Sequence, residues 1–477
     1  MKDRRRTGPT RLTSPTSPTT MEVIAMKPTY AFGLALGLLA CCAPAADSGG
    51  YRGPNRDGVH PETGLLKRWP AAGLKLLWRC PADPNSIWDW SAGIGSGMAT
   101  PGIFNKTVYI SGVQFGGSEA EGGRRLICRA FGLDGKLKWK ADCGPGNPHG
   151  RFDGPRATPE MRGKYLYVTT GLGRVNCLDP ADGRLLWWAS TRDMYGNKVP
   201  TYGYNMSPVL VGDVIAAPIR RGEGTMAAFD VVTGRPAWLS EPSGYAIGDS
   251  SPVLIRAAGR PLIAASLWWA MVVADPATGK ILWRQEQPCG FTMTRVPSGD
   301  KLFATFGGVL YAYRVLPPPK VLQQIWAGPR CNPICQAVAM DGRLYVIDSM
   351  KAEVDDRRGG KVQRNVPALV ALDQETGKRL AEVRVPWTPR SLIAADGHIY
   401  AISTDDTAPQ DGSGLYREQA LITLYRPTRD TIEEAGQFKP IRGTKEVYVA
   451  PVIAEGRLFH RHGNLLAVYD LRPESYR

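Results

Sequence analysis

The sequence predicts an all-β protein, an eight-bladed β-propeller of four-stranded antiparallel blades whose ring is closed by an N-terminal strand. Three observations predict it. A turn with Asp four residues ahead of Gly recurs at Asp179–Gly183, Asp230–Gly234, Asp275–Gly279 and Asp373–Gly377. Trp stands four residues after the Gly in three of these turns (Trp187, Trp238, Trp283), and again in a shorter copy, Asp134-Gly135 with Trp139. Finally, Trp139, Trp187, Trp238, Trp283 and Trp326 follow one another at intervals of 43–51 residues, the period of a four-stranded blade. With 43% apolar and 22% charged residues, and 54 Gly and 39 Pro spread along 477 positions, the chain is neither a helical bundle nor a disordered or collagen-like polymer.

Residues 1–25 are polar and basic without apolar periodicity and read as a disordered or mis-started extension. Met26-Lys27 then opens a second start, with a short apolar run from Tyr30 to Ala40 and small residues after it. Residues 26–45 have the form of a signal peptide, with Ala43-Pro44-Ala45 as a cleavage site. Leu38-Leu39-Ala40-Cys41 offers the alternative of a lipidated Cys41, with Leu39 an unusual residue at its position. The expected location is therefore exported, periplasmic or secreted, with a membrane-anchored lipoprotein as the alternative. No apolar run reaches the roughly 18 residues of a membrane-spanning helix.

Residues 46–72 form an N-terminal segment and residues 73–477 the ring. Within each repeat, Ser/Thr-Pro or its equivalent leads into a short apolar strand, a Gly or Asp turn and an aromatic-rich strand, then the Asp-to-Gly hairpin. Apolar residues run into the Asp, as in Met271-Val272-Val273-Ala274. The Asp side chain closes an Asx-turn and the Gly takes the positive φ at its end. The first strands begin near Pro101, Pro159, Pro208, Pro252, Thr294, Ile334, Pro389 and Pro451. The last blade has three strands. Leu74-Lys75-Leu76-Leu77-Trp78 supplies the fourth, which leaves no open edge between first and last blades. Blade five is the least regular, with Pro317-Pro318-Pro319 in place of the outer turn.

The pattern Ala228-x-Asp230-x-x-Thr233-Gly234-x-x-x-Trp238 resembles the tryptophan-docking repeat of pyrroloquinoline-quinone-like (PQQ-like, quinoprotein-like) β-propellers, over about residues 51–470. Tyr51-Arg52-Gly53-Pro54-Asn55-Arg56-Asp57-Gly58 and Gly154-Pro155-Arg156-Ala157-Thr158-Pro159 resemble exported planctomycete-type members. More distantly, the chain is similar to the lipoprotein of the outer-membrane β-barrel assembly machinery. The resemblance implies that Trp78, Trp139, Trp187, Trp238, Trp283 and Trp326 dock one blade on the next.

The same ring serves dehydrogenases and scaffolds. The family's dehydrogenases carry adjacent cysteines against the quinone and a calcium site. Here the only adjacent pair is Cys41-Cys42, in the leader, and no calcium ligands or base can be placed on a motif. The expectation is a non-catalytic scaffold with no cofactor, binding a protein partner or a small anionic or sugar ligand. The alternative is a PQQ-dependent dehydrogenase of alcohols or sugars, with calcium.

Seven cysteines follow Ala45, and their spacing does not give a pairing. There is no Walker, nucleophile-elbow or zincin motif. The net charge of +15 is scattered and forms no block in the mature chain, so nucleic acid is not an expected partner. A monomer is expected, and the membrane enters only through Cys41. A small ligand is placed at the channel mouth, where the loops into the innermost strands supply Arg156, Asn205, Asp249, Arg295 and Arg390. Three Arg there suit an anion; the same residues also suit a solvated rim. Trp88, Trp90, Trp268 and Trp269 fall outside the docking positions and read as core or as a stacking platform.

Overall fold

In the computed structural model, residues 49–477 are described apart from 90, 116–122, 148–153, 197–202, 205, 220–223, 246–247, 249, 288–294, 332–334, 356–360, 405–418 and 445–448. The leader with Cys41, and also Trp90, Asn205, Asp249, Thr294 and Ile334, lie outside the described residues.

Eight sheets follow one another along the chain. Their first and last strands are Gly102–Phe104 to Leu137–Pro145, Glu160–Arg162 to Leu185–Ser190, Val209–Val211 to Pro236–Leu239, Val253–Ala257 to Ile281–Glu286, Arg295–Ser298 to Leu322–Arg330, Val338–Met340 to Arg379–Arg384, and Thr388–Ala395 to Ile432–Phe438. The eighth sheet has Val452–Ala454, Arg457–His462 and Leu465–Asp470, and its outer strand is Leu76–Cys80. That strand pairs antiparallel with the last one, Leu76 opposite Tyr469 and Trp78 opposite Val468. The ring is therefore eight-bladed and closed from the N-terminal side. First strands of neighbouring blades lie side by side around the axis, as Val253–Ala257 does beside Arg295–Ser298. The face at which each first strand begins is called the upper face.

Both faces of every blade are buried, which is why middle strands such as Ala270–Ala274 are apolar throughout rather than alternating. In blade eight, Leu458, Leu465 and Ala467 pack toward blade seven, with Ile393, Ile402 and Leu424. The alternate residues Phe459, Leu466 and Val468 pack toward blade one, with Ile103, Val108 and Phe131.

The repeat earns its residues at the outer turn. The Asp230 carboxylate accepts from the backbone N–H of Val232 (3.0 Å) and of Thr233 (2.7 Å) and from the Thr233 hydroxyl (2.8 Å). Asp373 accepts from Glu375 and Thr376 in the same way. Gly234 closes the turn at φ 69°, and a Cβ there would sit 2.5 Å from the ring of Trp187 in the preceding blade. The turn thus needs Gly for its backbone and for the flat contact with the neighbour's indole. Gly135, Gly183, Gly279 and Gly377 meet Trp78, Trp139, Trp238 and Trp326 likewise. The Ser/Thr-Pro steps have their own role. The Ser251 hydroxyl accepts from the backbone N–H of Ser207, and the Ser207 hydroxyl from that of Thr158, each at 2.9 Å, so blades four and three each cap the start of the blade before them.

Candidate functional site

The axis is where eight inner strands converge, and each brings one edge that the strands of its own blade leave unpaired. The segment ahead of the closing strand lies there. Residues 50–58 fold into a compact loop, with Arg56 N–H donating to the Gly53 carbonyl (3.1 Å) and Gly58 N–H to the Arg52 carbonyl (2.9 Å). Val59–His60 then pairs in parallel with Ala394–Ala395 on the inner strand of blade seven. The chain leaves at the lower face, where Asp396 accepts from Leu65 N–H (2.8 Å) and Glu62 accepts from Gly456 N–H (3.1 Å).

Two buried arginines of this loop reach across the axis in different directions. The Arg56 guanidinium donates to the carbonyls of Pro252 (3.0 Å), Pro208 (3.0 Å) and Ser207 (3.3 Å) and to the Glu160 carboxylate (2.8 Å). It therefore ties blades two, three and four. Arg52 donates to the Gln336 side chain and to the carbonyls of Ala337 and Leu392, in blades six and seven. Gln336 in turn donates to the Tyr51 hydroxyl (2.7 Å), and the Arg56 guanidinium lies over the Tyr51 ring, 5.2 Å from its centroid. Glu160 also accepts from Tyr51 N–H at 3.0 Å. Burial pushes the Glu160 carboxyl up and Arg56 pulls it back down. Burial, helped by Arg52, holds the His60 imidazole down at about 3, so it is neutral.

Of the five expected channel-mouth residues, three are described. Arg295 is buried and donates to the Ser266 hydroxyl and to the carbonyls of Ser250 (3.0 Å) and Ser251 (2.7 Å), so it fastens blade five to blade four. Arg390 is half-buried and donates to the Thr404 hydroxyl (2.7 Å). Arg156 is half-buried on the upper face.

The docking indoles Trp78, Trp139, Trp187, Trp238 and Trp326 each donate to a carbonyl of the next blade's outer turn, at Leu133, Pro180, Val231, Pro276 and Gln374, over 2.8–3.2 Å. Trp283 faces blade five, which lacks the Gly turn, and meets Tyr313 edge-on at 6.0 Å. Trp269 is 53% exposed on the hairpin of blade four. The six described cysteines are free thiols.

Sequence reasoning assigned no role to Arg52, Arg56, Glu160 or Trp69. Trp69 packs against Tyr400 (5.8 Å) and Phe438 (5.4 Å) and donates its backbone N–H to Ala435, filling the junction of blades seven and eight. The available signal was the pair of arginines four apart among Gly, Pro, Asn and Asp, a cationic loop with no apolar periodicity.

The acidic side chains described at the axis do not gather as the ligands of a calcium ion would. Glu160 is taken up by Arg56 and Tyr51, and among the described residues no three His, Cys, Asp or Glu side chains converge on a cation site.

The family described as outer membrane protein assembly factor BamB matches residues 123–413. No curated protein matches the chain. Among solved structures, the quinohemoprotein alcohol dehydrogenase of Comamonas testosteroni is similar at TM-score 0.57 and 12% identity, over 90% of this chain and 81% of that one. A europium-containing methanol dehydrogenase is similar at 0.55 and 13%, over 87% and 90%. BamB from Moraxella catarrhalis aligns at 0.49 and 11%, over 79% and 94%. At these identities the likenesses establish the ring and nothing about its chemistry.

Proposed function

The chain belongs to the outer membrane protein assembly factor BamB family, and on that premise we propose that it is an exported, non-catalytic ring that holds other proteins on its faces and loops, in outer-membrane protein assembly as the family's description states. Residues 26–45 direct its export, and it works without a cofactor. One observation carries this reading: the axis, where a ring of this kind would take a small ligand, is filled by the chain's own residues 50–60, with Arg52 and Arg56 bonded to five blades. A rigid, filled hub suits a platform whose working surface is its periphery.

The purified protein incubated with PQQ and calcium tests this reading against a dehydrogenase. The reading expects no rise in melting temperature and no dye reduction with alcohols or aldoses; either signal overturns it. A photo-crosslinking residue at Trp269, exposed on the upper face, supplies the positive arm. In the producing cell it yields one recurrent adduct with an outer-membrane assembly protein or its client, absent when the crosslinker stands at buried Trp238.

A further inference from the structure

Two arginines meet across the seam between blades eight and one, where the closing strand seals the ring. Arg461 is fully buried, and four of its N–H groups are used. Nε donates to the Gly463 carbonyl (3.0 Å), Nη1 to those of Ala99 (3.0 Å) and Ser111 (2.7 Å), and Nη2 to that of Gly95 (2.9 Å). Arg129 is 4% exposed and makes one hydrogen bond, from Nη1 to the Ile94 carbonyl at 3.1 Å. Ile94 and Gly95 are consecutive, so the two guanidinium groups stand on adjacent carbonyls of one loop.

No carboxylate answers these two charges among the described residues. Arginine stays protonated in proteins, so neither can neutralise itself. Burial lowers the proton affinity of each, and the charge of Arg129 lowers that of Arg461 further. Cys80, the thiol beside Arg129 on the closing strand, is pushed up by burial despite that arginine and stays neutral. Arg461 is compensated by its carbonyls. Arg129 makes no hydrogen bond from Nε or Nη2 to a described residue, its one bond being that of Nη1 to Ile94. On the same loop Ser96, 1% exposed, holds a hydroxyl with no partner.

We propose that this seam binds a small oxyanion, a phosphate or a carboxylate, on the open Nε–Nη2 edge of Arg129, with Arg461 supplying the second positive charge. The edge of a guanidinium matches two oxygens of such an anion side by side. The anion ties blade one to blade eight and so locks the ring at its point of closure.

The test is a melting series of the whole protein in sodium phosphate, and separately in sodium acetate, against sodium chloride at equal ionic strength. The wild type rises saturably in at least one of the two, by about 3 °C at a hundred times Kd for a ring unfolding as one unit. The response to phosphate against acetate names the source. Arg129→Gln loses the saturable rise. Arg129→Lys keeps the charge without the two-point edge and shifts the midpoint at least tenfold upward in concentration. If Arg129→Gln does not fold, the Lys variant alone decides. No saturable rise in the wild type, or an equal rise in the substituted proteins, overturns the proposal.

Discussion

Replacing Arg56 with Met removes the donor that joins three blades at the hub while keeping a side chain of similar length. The substitution leaves three carbonyls, of Pro252, Pro208 and Ser207, without their donor, and leaves the Glu160 carboxylate buried with only Tyr51 N–H. Breaking a buried ion pair by removing one partner costs about 3–5 kcal/mol. Unfolding entropy of about 2.1 cal/mol/K per residue over roughly 430 residues gives about 0.9 kcal/mol/K, so the melting temperature falls by about 3–6 °C for cooperative unfolding. The loss also depends on pH. Burial already raises the Glu160 carboxyl, and without Arg56 it rises further. A group raised in the folded state favours folding at low pH and ceases to do so as pH climbs through its folded value. The deficit of Arg56→Met is therefore smaller at pH 5 than at pH 8, where the buried carboxyl must ionise. Adding Glu160→Gln removes that charge, restores part of the loss at pH 8 and abolishes the pH dependence. Scanning calorimetry of the four proteins of this cycle at both pH values is the assay. A fall under 1 °C, or a deficit that Glu160→Gln does not alter, refutes the hub as a structural tie.

Trp238→Ala, which removes an indole that is 9% exposed and bonded to Pro276, costs about 3–5 kcal/mol in a denaturant titration. Trp283→Ala costs less, because blade five offers Trp283 no turn glycine and no carbonyl partner of the same kind. Trp78→Ala loosens the seam, so hydrogen exchange quickens across residues 465–470 more than in Ala270–Ala274; equal quickening in both places counts against local closure. Alkylation without reductant after denaturation labels Cys80, Cys128, Cys143, Cys177, Cys331 and Cys335 alike, as free thiols. In the native protein at pH 8, iodoacetamide leaves Cys143, Cys177 and Cys331 unlabelled, because burial holds each thiol up at about 12; peptide mapping reads both results.

The ring was legible because its signals are local. An Asx-turn, a glycine and a tryptophan eight residues after the Asp act within one hairpin, and each copy writes them again. Even the closing strand carries the mark: Trp78 stands opposite Val468 as Trp238 stands opposite Ala228. Where a blade solves the same problem differently, the reading thins. Blade five turns on Pro317, whose carbonyl accepts from Val321 N–H at 3.5 Å, and offers Tyr313 to Trp283 instead of a glycine. Blade six has Ala381 in the docking register, opposite Ala371. Trp69 enters from outside the repeat altogether, so no periodicity announces that it fills the next junction.

The hub was illegible for a different reason. Arg56 meets partners 104–196 positions away, and Arg52, besides the Asp57 carbonyl of its own loop, partners 284–340 away. Three of the four acceptors of Arg56 are backbone carbonyls, which every residue has and no side-chain pattern marks. A reading that sees arginines near an axis looks for an acid or an anionic ligand, as was expected of Arg156, Arg295 and Arg390. Inner strands, however, present unpaired carbonyls to the axis, and each needs a donor once water is excluded. A guanidinium carries five N–H groups in one plane, so two arginines on one short loop can serve several blades at once. The requirement comes from closing the ring, and the loop that meets it also excludes ligands from the place it fills. Arg295 follows the same logic one blade along, spending its donors on Ser250 and Ser251. At this axis the arginines described meet the backbone's own partial negative charge.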